Sequence, residues 1–148
     1  MRNGKPIPFE TTLLVRDTCL CLHVQRAART LARRFDDAFR DVGITSGQFS
    51  LLMSLNRPDP PTISAVAELL AMDRTTLTAA LKPLQRRKLV TISVDRQDRR
   101  SRRLSLSAEG RAVLASAVPI WTRTHAEIDK ELPRSAAALR KDLMALKD

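Results

Sequence analysis

The chain has 148 residues, 43% of them hydrophobic, and carries 26 Lys and Arg against 16 Asp and Glu, a formal charge of +10. That length suits one domain with a sizeable core, and the apolar fraction excludes a disordered tail. Aromatic residues make up only 3% of the chain, which leaves Leu, Val, Ile and Ala to pack the core and argues against a single-strand binder that stacks bases on rings.

A domain this basic calls for a polyanion, with nucleic acid the first candidate and an anionic membrane surface the second. No stretch of about 18 apolar residues is present, so nothing spans a bilayer, and nucleic acid rather than a membrane is the partner expected. Residues 1–12 hold no apolar run of the secretory type. Two cysteines without secretory context point to a reducing cytoplasm and free thiols.

Residues 1–9, with Pro6 and Pro8, read as a loose arm. Asp17 or Thr18 then caps a long helix. Its apolar stripe, Val24, Ala28, Leu31, Phe35, Ala38 and Val42, recurs at steps of three and four, and Gly43 stands where a C-terminal cap belongs. Leu13, Leu14 and Leu20 extend this surface upstream, beyond what the helix alone can hide. Thr45-Ser46-Gly47-Gln48 has the pattern of a capping box. It opens a second helix bearing Phe49, Leu52 and Leu55, which ends at Asn56-Arg57-Pro58. Ser64 caps a short third helix with Val66, Ala67, Leu69 and Leu70, and Asp73 caps a fourth with Leu77, Leu81 and Leu84. Only Ala71-Met72 lies between them, so the two meet at a tight angle as a helix-turn-helix.

Beyond Lys88 the period changes. Leu89 to Val94 alternates β-branched and polar residues, as does Arg103-Leu104-Ser105-Leu106, and the polar segment between them reads as a hairpin tip. Ser107 caps a fifth helix running through Val113, Leu114, Ala117, Trp121 and Ile128, with a kink expected at Pro119. After Leu132-Pro133, Ser135 caps a last helix with Leu139, Leu143 and Leu146. The fold class is therefore mainly α with a small β-hairpin wing, a winged helix-turn-helix flanked by terminal helices.

Charge is concentrated on this hairpin. Between positions 86 and 103 stand eight basic residues, Arg86, Arg87, Lys88, Arg96, Arg99, Arg100, Arg102 and Arg103, against Asp95 and Asp98. A phosphate backbone beside the hairpin would relieve their mutual repulsion and release counterions. On the fourth helix, Arg74, Thr75, Thr78 and Lys82 fall opposite the leucines, with Thr76 at the margin. Arg grips guanine by two bonds, and Thr reaches a base edge or a thymine methyl. At the hairpin tip, Asp98 stands two residues before Arg100, where a carboxylate can hold a guanidinium for a narrow minor groove. Taken alone, the threonines read first as a capped surface helix, since Thr is common near helix starts, and the tip reads also as a turn with a loose ion pair.

Gly43-Ile44-Thr45-Ser46-Gly47-Gln48-Phe49 resembles the "G-L-T-x-x-Q-F" opening of the multiple-antibiotic-resistance regulator (MarR) family. Met72-Asp73-Arg74-Thr75-Thr76-Leu77-Thr78 is similar to the start of its recognition helix, and Asp98-Arg99-Arg100-Ser101 to its wing tip. Leu104-Ser105-Leu106-Ser107-Ala108-Glu109-Gly110-Arg111 resembles the "V-x-L-T-x-x-G-R" that follows. The resemblance implies one domain over 1–148, with dimerisation helices at 1–42 and 112–148 and a DNA-binding lobe at 44–111. It implies a homodimer on duplex DNA, with Leu13, Leu14, Leu139, Leu143 and Leu146 in the contact between protomers. Arg100 would enter the minor groove braced by Asp98, with Arg99 beside it. Thr45, Ser46, Ser64, Arg74, Thr75, Thr76, Thr78 and Lys82 complete the expected DNA contacts. Many relatives repress, and leave DNA when a small aromatic or phenolic ligand settles between the dimer helices and the DNA-binding lobe. Two departures bear on the helix's aim. Lys88 stands where the family has Gly, which implies a different ending, and Pro83 removes a backbone donor within the helix.

Weaker signals remain. Cys19-Leu20-Cys21-Leu22-His23 puts two thiols near an imidazole. Residues two apart lie about 200° apart around a helix, so the thiols would neither bridge nor chelate. Cys19 and His23 share a face, but two ligands make a poor zinc site, and buried thiols are common packing material. No metal or cofactor is expected. Cys19, His23 and Trp121 are kept as candidate sensor residues, Trp121 either as helix packing or as the flat wall of an effector cavity shared with His125. No nucleophile, base and orienting group stand together and only four Gly are present, so no enzyme is expected. The leading reading is a ligand- or stress-responsive repressor on a palindromic operator. The alternatives are an architectural DNA-binding protein without a specific site and a binder of acidic protein or membrane surfaces.

Overall fold

The computed structural model describes residues 5–146. The arm expected at 1–9 lies partly, over 1–4, outside the described residues. The elements are α1 (Phe9–Thr18), α2 (Leu20–Ala38), a single 3-10 turn (Arg40–Val42), α3 (Ser46–Ser54), α4 (Ile63–Leu69), α5 (Arg74–Arg86), β1 (Val90–Val94), β2 (Arg102–Leu106), α6 (Ala108–Glu131) and α7 (Ala136–Met144). One antiparallel hairpin in a helical chain is the class expected.

The long first helix is corrected. It begins at Phe9, directly after Pro8, and is interrupted at Cys19 (φ −69°, ψ 107°), so two helices stand where one was expected. Asp17 and Thr18 do not cap because both are engaged inside the last turn of α1. Asp17 accepts from the Arg16 guanidinium, and the Thr18 hydroxyl donates to the Leu14 carbonyl at 2.7 Å. Gly43 does close the segment, in the left-handed region at φ 70°.

The other starts follow side-chain capping. Thr45 and Gln48 form the full capping box of α3. Asp73, Ser107 and Ser135 cap α5, α6 and α7. The cap of α4 is Thr62, not Ser64: the Thr62 hydroxyl accepts from the Ala65 amide at 3.1 Å, which makes Ser64 the second residue of the helix.

The corner between α4 and α5 has a specific backbone solution. Ala71 sits at φ 51°, its amide donates to Glu68 O, and that of Met72 donates to Ala67 O. This is a Schellman ending made without glycine. The same motif ends α5, with Lys88 at φ 57° and the Lys88 and Leu89 amides on Gln85 O and Leu84 O. The ending expected to differ because Lys88 replaces Gly is thus the ordinary one, with a lysine held where glycine is favoured. Pro83 does not end α5, nor does Pro119 end α6.

The core is centred on the helix-turn-helix. Leu77, Leu81 and Leu84 of α5 are fully buried with Leu52, Val66 and Leu104, so the inward face of α5 is as the pattern placed it. Four of the five aromatics form one column: Phe35, Phe39, Phe49 and Trp121 stack in sequence, and His125 follows tilted against Trp121, with centroids 4.9–6.3 Å apart. Aliphatic packing is therefore supplemented at its centre by Phe39, which is fully buried. The hairpin pairs Val90 with Leu106 and Val94 with Arg102. Gly110 locks α6 onto its base: a Cβ there would lie 2.1 Å from the Leu89 carbonyl oxygen, so no larger residue fits.

Candidate nucleic-acid interface

The exposed side of α5 begins with its cap. Asp73 accepts the Thr76 amide at 2.8 Å and the Thr76 hydroxyl at 2.7 Å. These bonds, the hydroxyl's first, hold the Asp73 carboxyl below its usual range. Thr76, expected to face DNA, therefore has its hydroxyl proton committed to the cap. The Thr78 hydroxyl donates to the Arg74 carbonyl at 2.7 Å. The Thr75 hydroxyl makes no intramolecular hydrogen bond among the described residues, and Arg74 and Lys82 are exposed and paired with no carboxylate there. Of the expected reading residues, Arg74, Thr75 and Lys82 are left with free polar groups.

At the start of α3, the Thr45 hydroxyl belongs to the capping box. The Ser46 amide donates to Asp36 of α2 at 2.6 Å, which ties this corner to the long helix. Thr45 and Ser64 are exposed, and Ser46 is half-buried. Arg87, just past α5, donates to the Gly43 carbonyl at 2.7 Å, a second tie between the same regions.

The wing tip is ordered by two successive aspartate turns. Asp95 accepts the Gln97 amide at 2.9 Å and Asp98 accepts the Arg100 amide at 3.0 Å. The brace expected between Asp98 and Arg100 thus acts on the backbone, because an aspartate bonds most easily to the amide two residues on. The Arg99 and Arg100 guanidinium groups are exposed and make no ion pair among the described residues. At the wing base Asp95, only 7% exposed, pairs with Arg103. The Gln97 amide is the main cause that holds Asp95 below the usual carboxylate range; burial opposes it and Arg103 adds to it.

Sequence reasoning missed the roles of Asp36 and Thr62, the tie of Arg87 to Gly43, and the pairing of Asp95 with Arg103. The repeated Asp-x-x spacing of Asp95 and Asp98 is the signal that could have found the double turn.

The candidate sensor residues fall in two places. Trp121 lies between Phe49 and His125 and borders an apolar cavity of about 450 Å³ with Met53, Leu69, Leu70 and Val118. Cys19 sits at the helix break, half-buried, with its carbonyl 2.8 Å from His23 Nδ1, and Cys21 is exposed. The break removes the regular helical spacing assumed for the two thiols. Among the described residues, no group of three or more His, Cys, Asp and Glu is placed to hold a metal ion. No helix there is long and apolar enough to cross a membrane.

A capped helix meeting another at a tight corner and feeding a cationic hairpin defines a winged helix-turn-helix protein. A model of the MarR family matches residues 42–101. The Mycobacterium tuberculosis transcriptional regulator MosR, solved in complex with DNA, is similar at 35% identity and a TM-score of 0.79, over 86% of this chain and 92% of that one. CouR, a transcriptional repressor bound to a 23-mer duplex, is similar at 28% identity and a TM-score of 0.70, over 85% of this chain and 87% of that one. The regulator SarZ of Staphylococcus epidermidis is 24% identical over 104 residues, 70% of this chain and 69% of its own length. The chain belongs to the MarR family, whose members here are transcriptional regulators and not enzymes.

Proposed function

We propose that this chain is a transcriptional repressor that binds duplex DNA as a homodimer. The observation that carries the reading is the set of cations left without partners at two ordered points, Arg74 and Lys82 on α5 and Arg99 and Arg100 on the wing tip. Arg74 and Thr75 are suited to a major groove and Arg100 to a minor groove. Thr45, Ser46, Ser64 and Thr78 are suited to backbone contacts, where hydroxyls and amides position without specifying sequence. The complexes of MosR and CouR with DNA support this reading.

Dimerisation is supported by apolar surface left exposed among the described residues. No residue of α1 or α2 is buried. Leu14, Leu139, Leu143 and Leu146 are 41–61% exposed, and Leu13 is half-buried. A groove of about 430 Å³ between α2 and α7 is lined by Leu20, Val24, Leu31, Leu139, Leu143 and Leu146. The segments 1–42 and 112–148 then form the dimer and 44–111 the DNA-binding lobe.

Release from DNA is assigned to the cavity beside Trp121, whose apolar walls and indole suit a flat aromatic effector. An oxidative signal is the second reading, favoured by the half-buried Cys19 at the helix break and the exposed Cys21 two residues on.

Equilibrium binding to a random duplex pool and a matched single-stranded pool, over a range of salt, tests the proposal. Tighter, salt-dependent binding to duplex supports it, and equal binding to both pools overturns it.

A further inference from the structure

Arg103 is unlike the other cations of the hairpin. Its Nε donates to Asp95 Oδ2 at 3.0 Å, its Nη2 lies 2.9 Å from the same oxygen, and its Nη1 donates to the Pro60 carbonyl at 2.6 Å. Asp95 in turn accepts the Gln97 amide, and its own amide donates to Ser101 O at 3.1 Å, closing the neck of the wing. The backbone repeats the connection. Arg103 bridges Thr62, and the Leu104 amide donates to Pro61 O at 2.9 Å. Pro60 and Pro61 lead directly into Thr62, the cap of α4. One guanidinium therefore joins the wing base to the segment that starts the helix-turn-helix.

We infer that Asp95 and Arg103 are positioning residues, a clamp that fixes the wing against the helix-turn-helix so that Arg100 and α5 meet the two grooves together. The inference rests on the DNA-binding reading above. A neutral, half-buried pair is a poor phosphate ligand, because its charge is already answered. A guanidinium fork can hold a carboxylate and a carbonyl at once, whereas an ammonium is a point charge that cannot keep both in this geometry. Arg99 and Arg100, without partners, are the phosphate- and groove-facing cations of the same hairpin.

The test compares Arg103→Gln and Arg103→Lys with Arg99→Ala. In the protein without DNA, hydrogen exchange of the amides at 96–102 is expected to accelerate in both Arg103 variants and to stay unchanged in Arg99→Ala. On a duplex pool, both Arg103 variants are expected to lose affinity by about tenfold or more, as a loosened supporting shell does. The slope of log K against log salt should remain that of the wild type. Arg99→Ala should flatten that slope by about 0.9, the value of one lost phosphate contact. Unchanged exchange in the Arg103 variants, or a flattened slope with full rescue by Lys, overturns the clamp. If Arg103→Gln does not fold, Arg103→Lys carries both readouts. Failure of the wild type to prefer duplex would sink the DNA-binding reading instead, and the exchange comparison would still decide whether the clamp exists.

Discussion

Lys88 shows how a single residue reconciles pattern with backbone. It closes α5 at φ 57°, and its carbonyl accepts the Ser107 hydroxyl at 2.6 Å, which joins that ending to the start of α6. A side chain at a left-handed position costs on the order of 1 kcal/mol. Lys88→Gly is therefore expected to raise unfolding free energy by about 1 kcal/mol in denaturant titration, with the fold unchanged. The sequence showed that a glycine was missing there, but the amides of Lys88 and Leu89 still needed acceptors, and the Schellman geometry was the one that supplied them. Asp73 and Asp95 carry the pH response at this scale. Both carboxyls are held below their ordinary value, so each stabilises the fold while it is ionised. That contribution is complete above the ordinary carboxylate pKa, about 3.9, and is lost as pH falls through it into the depressed native range. Denaturation midpoints should fall below about pH 4, with Asp95→Asn less acid-sensitive than the wild type.

At the level of elements, capping residues and leucine spacing made α3, α5, the hairpin, α6 and α7 legible, because each of those signals is local. The break at Cys19 was not legible, since neither Pro nor Gly marks it. The start of α1 was hidden by reading Pro8 as part of an arm. The wing tip was found through its charge, while its support from Asp95, Arg103 and Pro60 was not, because that contact spans 43 positions. For the wing, Arg100→Ala is expected to weaken duplex binding markedly and to leave the oligomeric state unaltered in sedimentation. Unchanged affinity would remove the wing tip from the interface. For the terminal helices, replacing Leu139, Leu143 and Leu146 together by Ala is expected to shift the protein toward monomer at concentrations where the wild type is dimeric. A fully dimeric triple variant would place the contact elsewhere.

The whole molecule joins two surfaces that need each other. Among the described residues, the basic face of the helix-turn-helix and wing has cations paired with no carboxylate, and the α1, α2 and α7 surface has exposed leucines. Ties such as Ser46 to Asp36 and Arg87 to Gly43 link α3 and the end of α5 to the α2 region, so a change in α2 has a route to those two helices. The lone tryptophan lies on the cavity lined by α3, α4 and α6, and binding of an aromatic compound there should quench its fluorescence. Twofold pairing of protomers would set two recognition helices about 34–36 Å apart on one face of the duplex. The most direct measurement is sequencing of the fragments the protein selects from random duplex DNA. The account predicts an enriched site of two inverted half-sites centred roughly 10 base pairs apart or a multiple of that. Fragments without enrichment over the starting pool, or a single half-site without its inverted partner, would contradict it.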